Sequence, residues 1–154
     1  MKSNRTFRIV VDPHATAKQQ QVVTDGLYAF NLAKSGHIKI VPVNLFVKDA
    51  RGKILGGLLG HIWGGWLYIR ILWVDETLRG GGYGRKLMRA AEALAKQKGC
   101  AGVYLDTLSF QARPFYEKLG YHVFGTLEDL PVGFTKFNLA KRLRPVSRKA
   151  AAKR

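Results

Sequence analysis

The chain has 154 residues, 47% of them apolar, and a formal net charge of +16. That supports one domain with a core and excludes a disordered chain. Its one cysteine, Cys100, excludes an intrachain disulfide and points to a reducing compartment, hence the cytoplasm.

At the N-terminus, Ile9-Val10-Val11 is too short for the apolar core of a signal peptide, and Asp12 follows at once. Arg5 to Val11 reads as a first strand. Ala15 to Lys34 reads as a helix with Val23, Leu27 and Phe30 on one face and Gly36 closing it. Val43 to Lys48 and Lys53 to Ile62 read as strands joined by an Asp49-Ala50-Arg51-Gly52 turn. Ile54 to Val74 has the length of a membrane span, but five glycines interrupt it. Gly64-Gly65 splits it into two strand-sized halves, so it reads as a buried hairpin with no membrane role. Trp66 to Val74 is apolar on both faces, as a covered central strand requires. Arg70 interrupts it, with Trp66, Tyr68, Leu72 and Val74 on the same face by strand alternation.

The next segment, Leu78-Arg79-Gly80-Gly81-Gly82-Tyr83-Gly84-Arg85-Lys86, lies between that strand and a helical pattern from Arg85 to Lys98. Glycines let successive N–H groups converge on one point, and a helix start adds partial positive charge. Arg79, Arg85 and Lys86 add full charges, so a phosphate-bearing ligand is expected. A nucleotide P-loop ends in Gly-Lys-Ser/Thr, which is absent, and the third glycine of a dinucleotide fingerprint falls on Arg85 or Leu87. Arg-x-x-Gly-x-Gly does fit, as Arg79, Gly82 and Gly84.

The helix places Leu87, Ala91, Leu94 and Ala95 inward, and Gly99 ends it. Cys100, at the junction with a strand from Ala101 to Asp106, reads as a small buried thiol. A short helix spaces Ala112, Phe115, Tyr116 and Leu119 along one face, with Pro114 in its first turn and Gly120 as its stop. Tyr121 to Leu127 and Thr135 to Lys141 are the last strands. The order predicts a mixed α/β layer with antiparallel hairpins and one parallel crossover. His14, His37, His61 and His122 are isolated, so no metal site is expected. Seven of the 26 Lys/Arg residues fall in the last fourteen positions, beside no acid. That basic end reads as a solvated tail, with a tether to nucleic acid as the sharper alternative.

The Arg79/Gly82/Gly84 spacing resembles the pyrophosphate loop of the GNAT acetyltransferase superfamily, whose donor is acetyl-coenzyme A (acetyl-CoA). A second hallmark, Asn-x-x-Ala-x-x-x-Tyr-x-x-x-Gly-Phe/Tyr, is matched by Ser109, Ala112, Tyr116, Gly120 and Tyr121, with Ser in place of Asn. The resemblance covers Arg5 to Arg142. It implies one domain over residues 1–142, a basic tail over 143–154, and a mostly antiparallel sheet whose fourth and fifth strands run parallel. It also implies acetyl transfer to a primary amine, of a small molecule first and of a protein second, through a tetrahedral intermediate. A polyanion-binding module on the same scaffold is the rival reading, and a homodimer is left open.

On this resemblance the backbone of Trp73 and Val74 would pair with the pantetheine arm. Arg79, Gly80, Gly81, Gly82, Tyr83 and Gly84 would hold the pyrophosphate, with Arg85 and Lys86 beside it and Ser109 near the cofactor arm. Tyr116 would be the general acid, although spacing alone makes it, like Phe115, a core residue. Proton transfer from a phenol (pKa about 10) to a thiolate (about 8.5) is uphill by about 2 kcal/mol, and a helix start would narrow that gap. No carboxylate lies between Leu58 and Val74, leaving His61, Asp106, Glu128 or a water chain as base. Asp106 would bind a substrate cation or cap the next turn. Arg70, turned into the cavity, would favour an acceptor bearing a carboxylate or phosphate, with a surface ion pair as its alternative. Trp63, Trp66 and Tyr68 would line the cavity or simply pack.

Overall fold

The computed structural model describes residues 6–36 and 39–144. His37 and the basic segment after Arg144 lie outside the described residues, and with them all of the expected 143–154 tail but its first two positions. The chain divides into two compact units, Met1–Ile38 and Lys39–Arg154.

The first unit carries helix α1, Ala17–Ser35. Its start is a capping box. The Gln19 N–H donates to Thr16 Oγ1 (3.3 Å) and the Thr16 N–H to Gln19 Oε1 (2.7 Å), and Gly36 closes the helix at φ 68°. The expected strand from Arg5 to Val11 is not present at the described positions: residues 6–11 carry no ladder. Alternating apolar residues suit a pleated surface but supply no partner strand.

The second unit is a six-stranded sheet: β1 Val41–Lys48, β2 Ile54–Trp63, β3 Trp66–Val74, β4 Gly102–Leu108, β5 His122–Glu128 and β6 Thr135–Arg142. The order is β1-β2-β3-β4-β6-β5, antiparallel throughout except for β3 and β4, which run parallel. The β1–β2 turn is held by Asp49 Oδ1, which accepts the Arg51 and Lys53 N–H groups, both at 2.9 Å. Gly64 and Gly65, at φ 56° and 79°, make the tight β2–β3 hairpin.

Helix α2, Tyr83–Gln97, is the crossover between the parallel strands. It buries Leu87, Met88, Ala91 and Ala95 over the sheet, where Leu58, Leu67, Ile69, Val103 and Leu105 meet it. Each buried Leu, Ile, Val or Met among these stabilises by about 2 kcal/mol, and each alanine by less. One acid is drawn into this core: Glu92 of α2 accepts the Tyr121 hydroxyl (3.0 Å) and the Lys141 ammonium (2.8 Å), so its charge is paired. The short helix α3, Arg113–Lys118, ends at Gly120, whose φ of 89° suits a residue without a side chain. Among the described residues no helix is long and apolar enough to cross a membrane.

Candidate active site

β3 and β4 are paired only from Trp66/Gly102 to Ile69/Leu105. Beyond that point the strands part into a fork. A bulge marks the place: Gly60 of β2 faces Ile69 and Leu59 faces Ile71, leaving Arg70 as the extra residue. The inserted residue changes which face each later side chain occupies. Leu67 and Ile69 are buried before it, whereas Leu72 and Val74 pack against the core after it. The expectation that Trp66, Tyr68, Arg70, Leu72 and Val74 share one face is therefore corrected. From Ile71 to Val74, β3 pairs with β2 alone, and its other edge has no strand partner.

A pocket of about 680 Å³ occupies the fork, lined by Leu72, Trp73 and Val74, by the glycine loop from Leu78 to Gly82 apart from Gly81, by the first turn of α2, and by Ala112, Phe115 and Tyr116. In the loop, Gly80 and Gly82 adopt φ 78° and 77°, and a Cβ on either would project into open space. Gly84 differs: a Cβ there would meet the Phe115 ring at 3.3 Å. Gly82 is the N-cap of α2 and provides no side-chain cap. The Lys86 N–H is the first to reach a helical acceptor, Gly82 O at 3.0 Å, so the Tyr83, Gly84 and Arg85 amides stay free, while the Gly81 N–H turns back to Leu78 O at 3.2 Å. No acid stands in this first turn. Arg85 and Lys86 do, and Arg89 joins the lining one turn later. Cations at a helix start oppose its dipole, and an Arg85/Arg89 pair at i, i+4 repels itself. An anion bound there would relieve both repulsions. Arg79 binds back to β3, Nε donating to Val74 O (3.3 Å), and Lys86 sits 4.6 Å over the Tyr83 ring.

Tyr116 is 8% exposed, wedged between Phe115 (5.1 Å between centroids) and Tyr121 (6.2 Å). No described residue hydrogen-bonds its hydroxyl, which opens to the pocket. Burial, and then the Asp106 carboxylate, raise its pKa above that of an ordinary phenol. The expected lowering by the helix start is reversed, because a helix of six residues offers little dipole against that burial.

On the sheet face opposite Leu105 and Thr107, Asp106 Oδ2 accepts the Tyr68 hydroxyl (2.8 Å) and Oδ1 faces Lys136 Nζ (3.3 Å). Tyr68 stacks on Tyr104 at 4.9 Å, and His61 meets it edge-on at 5.5 Å. Burial and this carboxylate push the Tyr68 phenol up to about 12. Asp106 does not cap the following turn; Gln111 Oε1 does, accepting the Leu108 N–H at 2.9 Å. Arg70 is exposed and has no ion-pair partner among the described residues, so the surface pair considered for it is not formed. Ser109 sits outside the pocket lining and laces to β6, its Oγ accepting the Thr135 N–H at 3.1 Å. Glu128 lies at the end of the edge strand β5, away from the fork.

Thus the fork gathers Trp73, Val74, the glycine loop and Tyr116. Arg70, Asp106, Tyr68 and His61 flank it on the other face. Sequence reasoning missed Arg89, Leu72 and Lys136. Arg89 was findable from its one-turn spacing to Arg85; Lys136 carried no local signal.

A family model for the acetyltransferase (GNAT) family matches residues 8–121. Over 136 residues the chain is 36% identical to an acetyltransferase of Agrobacterium fabrum, covering 88% of this chain and 99% of that protein. It is 43% identical over 94 residues to blasticidin-S acetyltransferase of Streptomyces morookaense, covering 60% of this chain and 69% of that one. The crystal structure of an acetyltransferase from Bacillus cereus matches with TM-score 0.79 at 36% identity, over 87% of this chain and 98% of that one. The forked sheet, the open glycine loop and these matches agree: the chain belongs to the GNAT family and is an acetyltransferase.

Proposed function

We propose that this enzyme moves the acetyl group of acetyl-CoA, the donor its family uses, to the primary amine of a small molecule. One observation carries the reading: a single pocket runs from free helix-start amides, along an unpaired strand edge, to a buried phenol. Acetyl-CoA, when bound, supplies an activated acetyl group and a thiolate leaving group. The residues fit such a ligand, because the space over Gly80 and Gly82 is open and the Tyr83, Gly84 and Arg85 amides are unclaimed, although the Gly81 N–H is taken by Leu78 O (3.2 Å). Those amides and Arg85 hold the phosphates. The free edge at Trp73 and Val74 aligns the arm as an added strand. Tyr116 gives its proton to the departing sulfur. Its raised pKa keeps that proton in place at neutral pH, and the same burial raises a thiolate's affinity for protons.

Asp106 is the carboxylate at the mouth of the fork and orients the acceptor's ammonium there, with His61 and Tyr104 supporting Tyr68 behind it. The ammonium gives up one proton to water before its nitrogen attacks the acetyl carbon, and the proton shed by that nitrogen on forming the amide restores the one Tyr116 gave to sulfur. A small acceptor is favoured by the relative from S. morookaense, which is named for acetylating blasticidin S. Calorimetry tests the reading. Saturable binding of both acetyl-CoA and free CoA is expected; flat titrations with both overturn it.

A further inference from the structure

The Tyr68–Asp106–Lys136 cluster holds charges that transfer to a simple amine does not require. Arg70 and Asp106 are the first residues of β3 and β4 beyond the last paired position, so they stand on the two arms of the fork. Lys136, opposite Leu108 on β6, reaches across to Asp106 at 3.3 Å. The Lys136 and Asp106 side chains remain 29% and 30% exposed, so the pair is open to an incoming solute. Arg70 is exposed, has no ion-pair partner among the described residues, and its charge is felt at Tyr68. The mouth therefore carries one carboxylate between two cations.

We infer that the acceptor is a small primary amine that also bears an anionic group, a carboxylate or a phosphate ester. Asp106 takes the ammonium, and Arg70 and Lys136 take the anion. This rests on the acetyl-transfer reading above. An acceptor with only positive charge would meet a surplus of like charge at the mouth, and a polyamine would meet it several times over. An anion-bearing amine satisfies both signs at once: its ammonium replaces Lys136 at Asp106, and its anion receives the freed lysine. The planar guanidinium of Arg70 suits either anion through paired N–H donors.

The test uses matched probes on the full-length enzyme: phosphoethanolamine against ethanolamine, glycine against glycinamide, and spermidine as a polycation. Thiol release at saturating acetyl-CoA gives kcat/KM for each, and calorimetry on the enzyme–CoA complex gives their affinities. At least one anion-bearing probe should exceed its anion-free partner about tenfold, a difference of ~1.4 kcal/mol. The pair with the larger ratio separates phosphate from carboxylate recognition. Arg70→Met and Lys136→Met should each bring that ratio toward one, and Lys136→Arg should keep it. A purely structural Lys136 would instead lower both members of each pair by the same factor, which overturns the inference. So does a preference for the anion-free probes or spermidine, or a lack of response to every probe while acetyl-CoA still binds. Absence of both acetyl-CoA binding and transfer defeats the acetyl-transfer reading itself, and the inference with it.

Discussion

The two halves of the β3–β4 pair do opposite work. From Trp66 to Ile69 the strands are bonded and bury Leu67, Ile69, Val103 and Leu105 under α2. From Arg70 onward they part, and Ile71 and Trp73 turn outward at 42% and 47% exposure. The first half concentrates apolar burial so that the second can leave backbone unpaired around a ligand. Glycines show the same division. Gly102 has no room for a Cβ, which would strike the Trp66 ring and come within 2.7 Å of Lys141 O. Gly82 has open space, but a backbone at φ 77°.

Substitutions on either side of this divide should separate stability from catalysis. The largest effect is expected for Gly102→Val in the paired half. Overpacking there should cost about 3 kcal/mol and lower Tm by about 10 °C, read by thermal unfolding. A wild-type Tm would mean that the paired half is looser than its contacts indicate. Gly82→Val in the forked half should cost only about 1–2 kcal/mol of stability. It should nevertheless weaken acetyl-CoA about 100-fold in calorimetry, because the side chain occupies the phosphate space. Normal binding by that folded variant would remove the ligand from this loop.

Tyr116→Phe should lower kcat at least about tenfold and leave cofactor affinity almost unchanged. Equal kcat would exclude the phenol from the chemistry. The smallest effect sharpens the boundary itself. The Tyr68 phenol ionises at about 12 when folded, against a reference of 10.0. The folded state holds that proton more tightly. Its contribution to stability is therefore complete below pH about 10 and is lost as pH rises toward about 12. Asp106→Asn should move the Tyr68 phenolate transition, followed by ultraviolet absorbance, down toward the ordinary range and flatten that alkaline loss. Burial, the first cause of the shift, would remain.

Much of this division was readable in the residues. Trp66–Val74, the Asp49 turn and the glycine loop all announce themselves through local periodicity or turn chemistry, and the structure places them where expected. The bulge did not, because one surplus residue looks like any other in a two-residue alternation. Lys136 was silent for another reason. It lies 30 positions from Asp106 in sequence, and only the antiparallel β4–β6 register brings them together. The first strand failed in the opposite sense: its pattern is local, whereas forming a ladder needs a neighbour.

The insertion at Arg70 has an evolutionary reading. The cleft owes its opening to the number of amino acids in β3 as well as to their kinds. A replacement at one position leaves that number unchanged. The loss of a single codon would reverse the facing of everything downstream, sending Leu72 and Val74 outward and Trp73 into the core. Gaps, rather than replacements, are the changes that natural selection must police most strictly in this stretch.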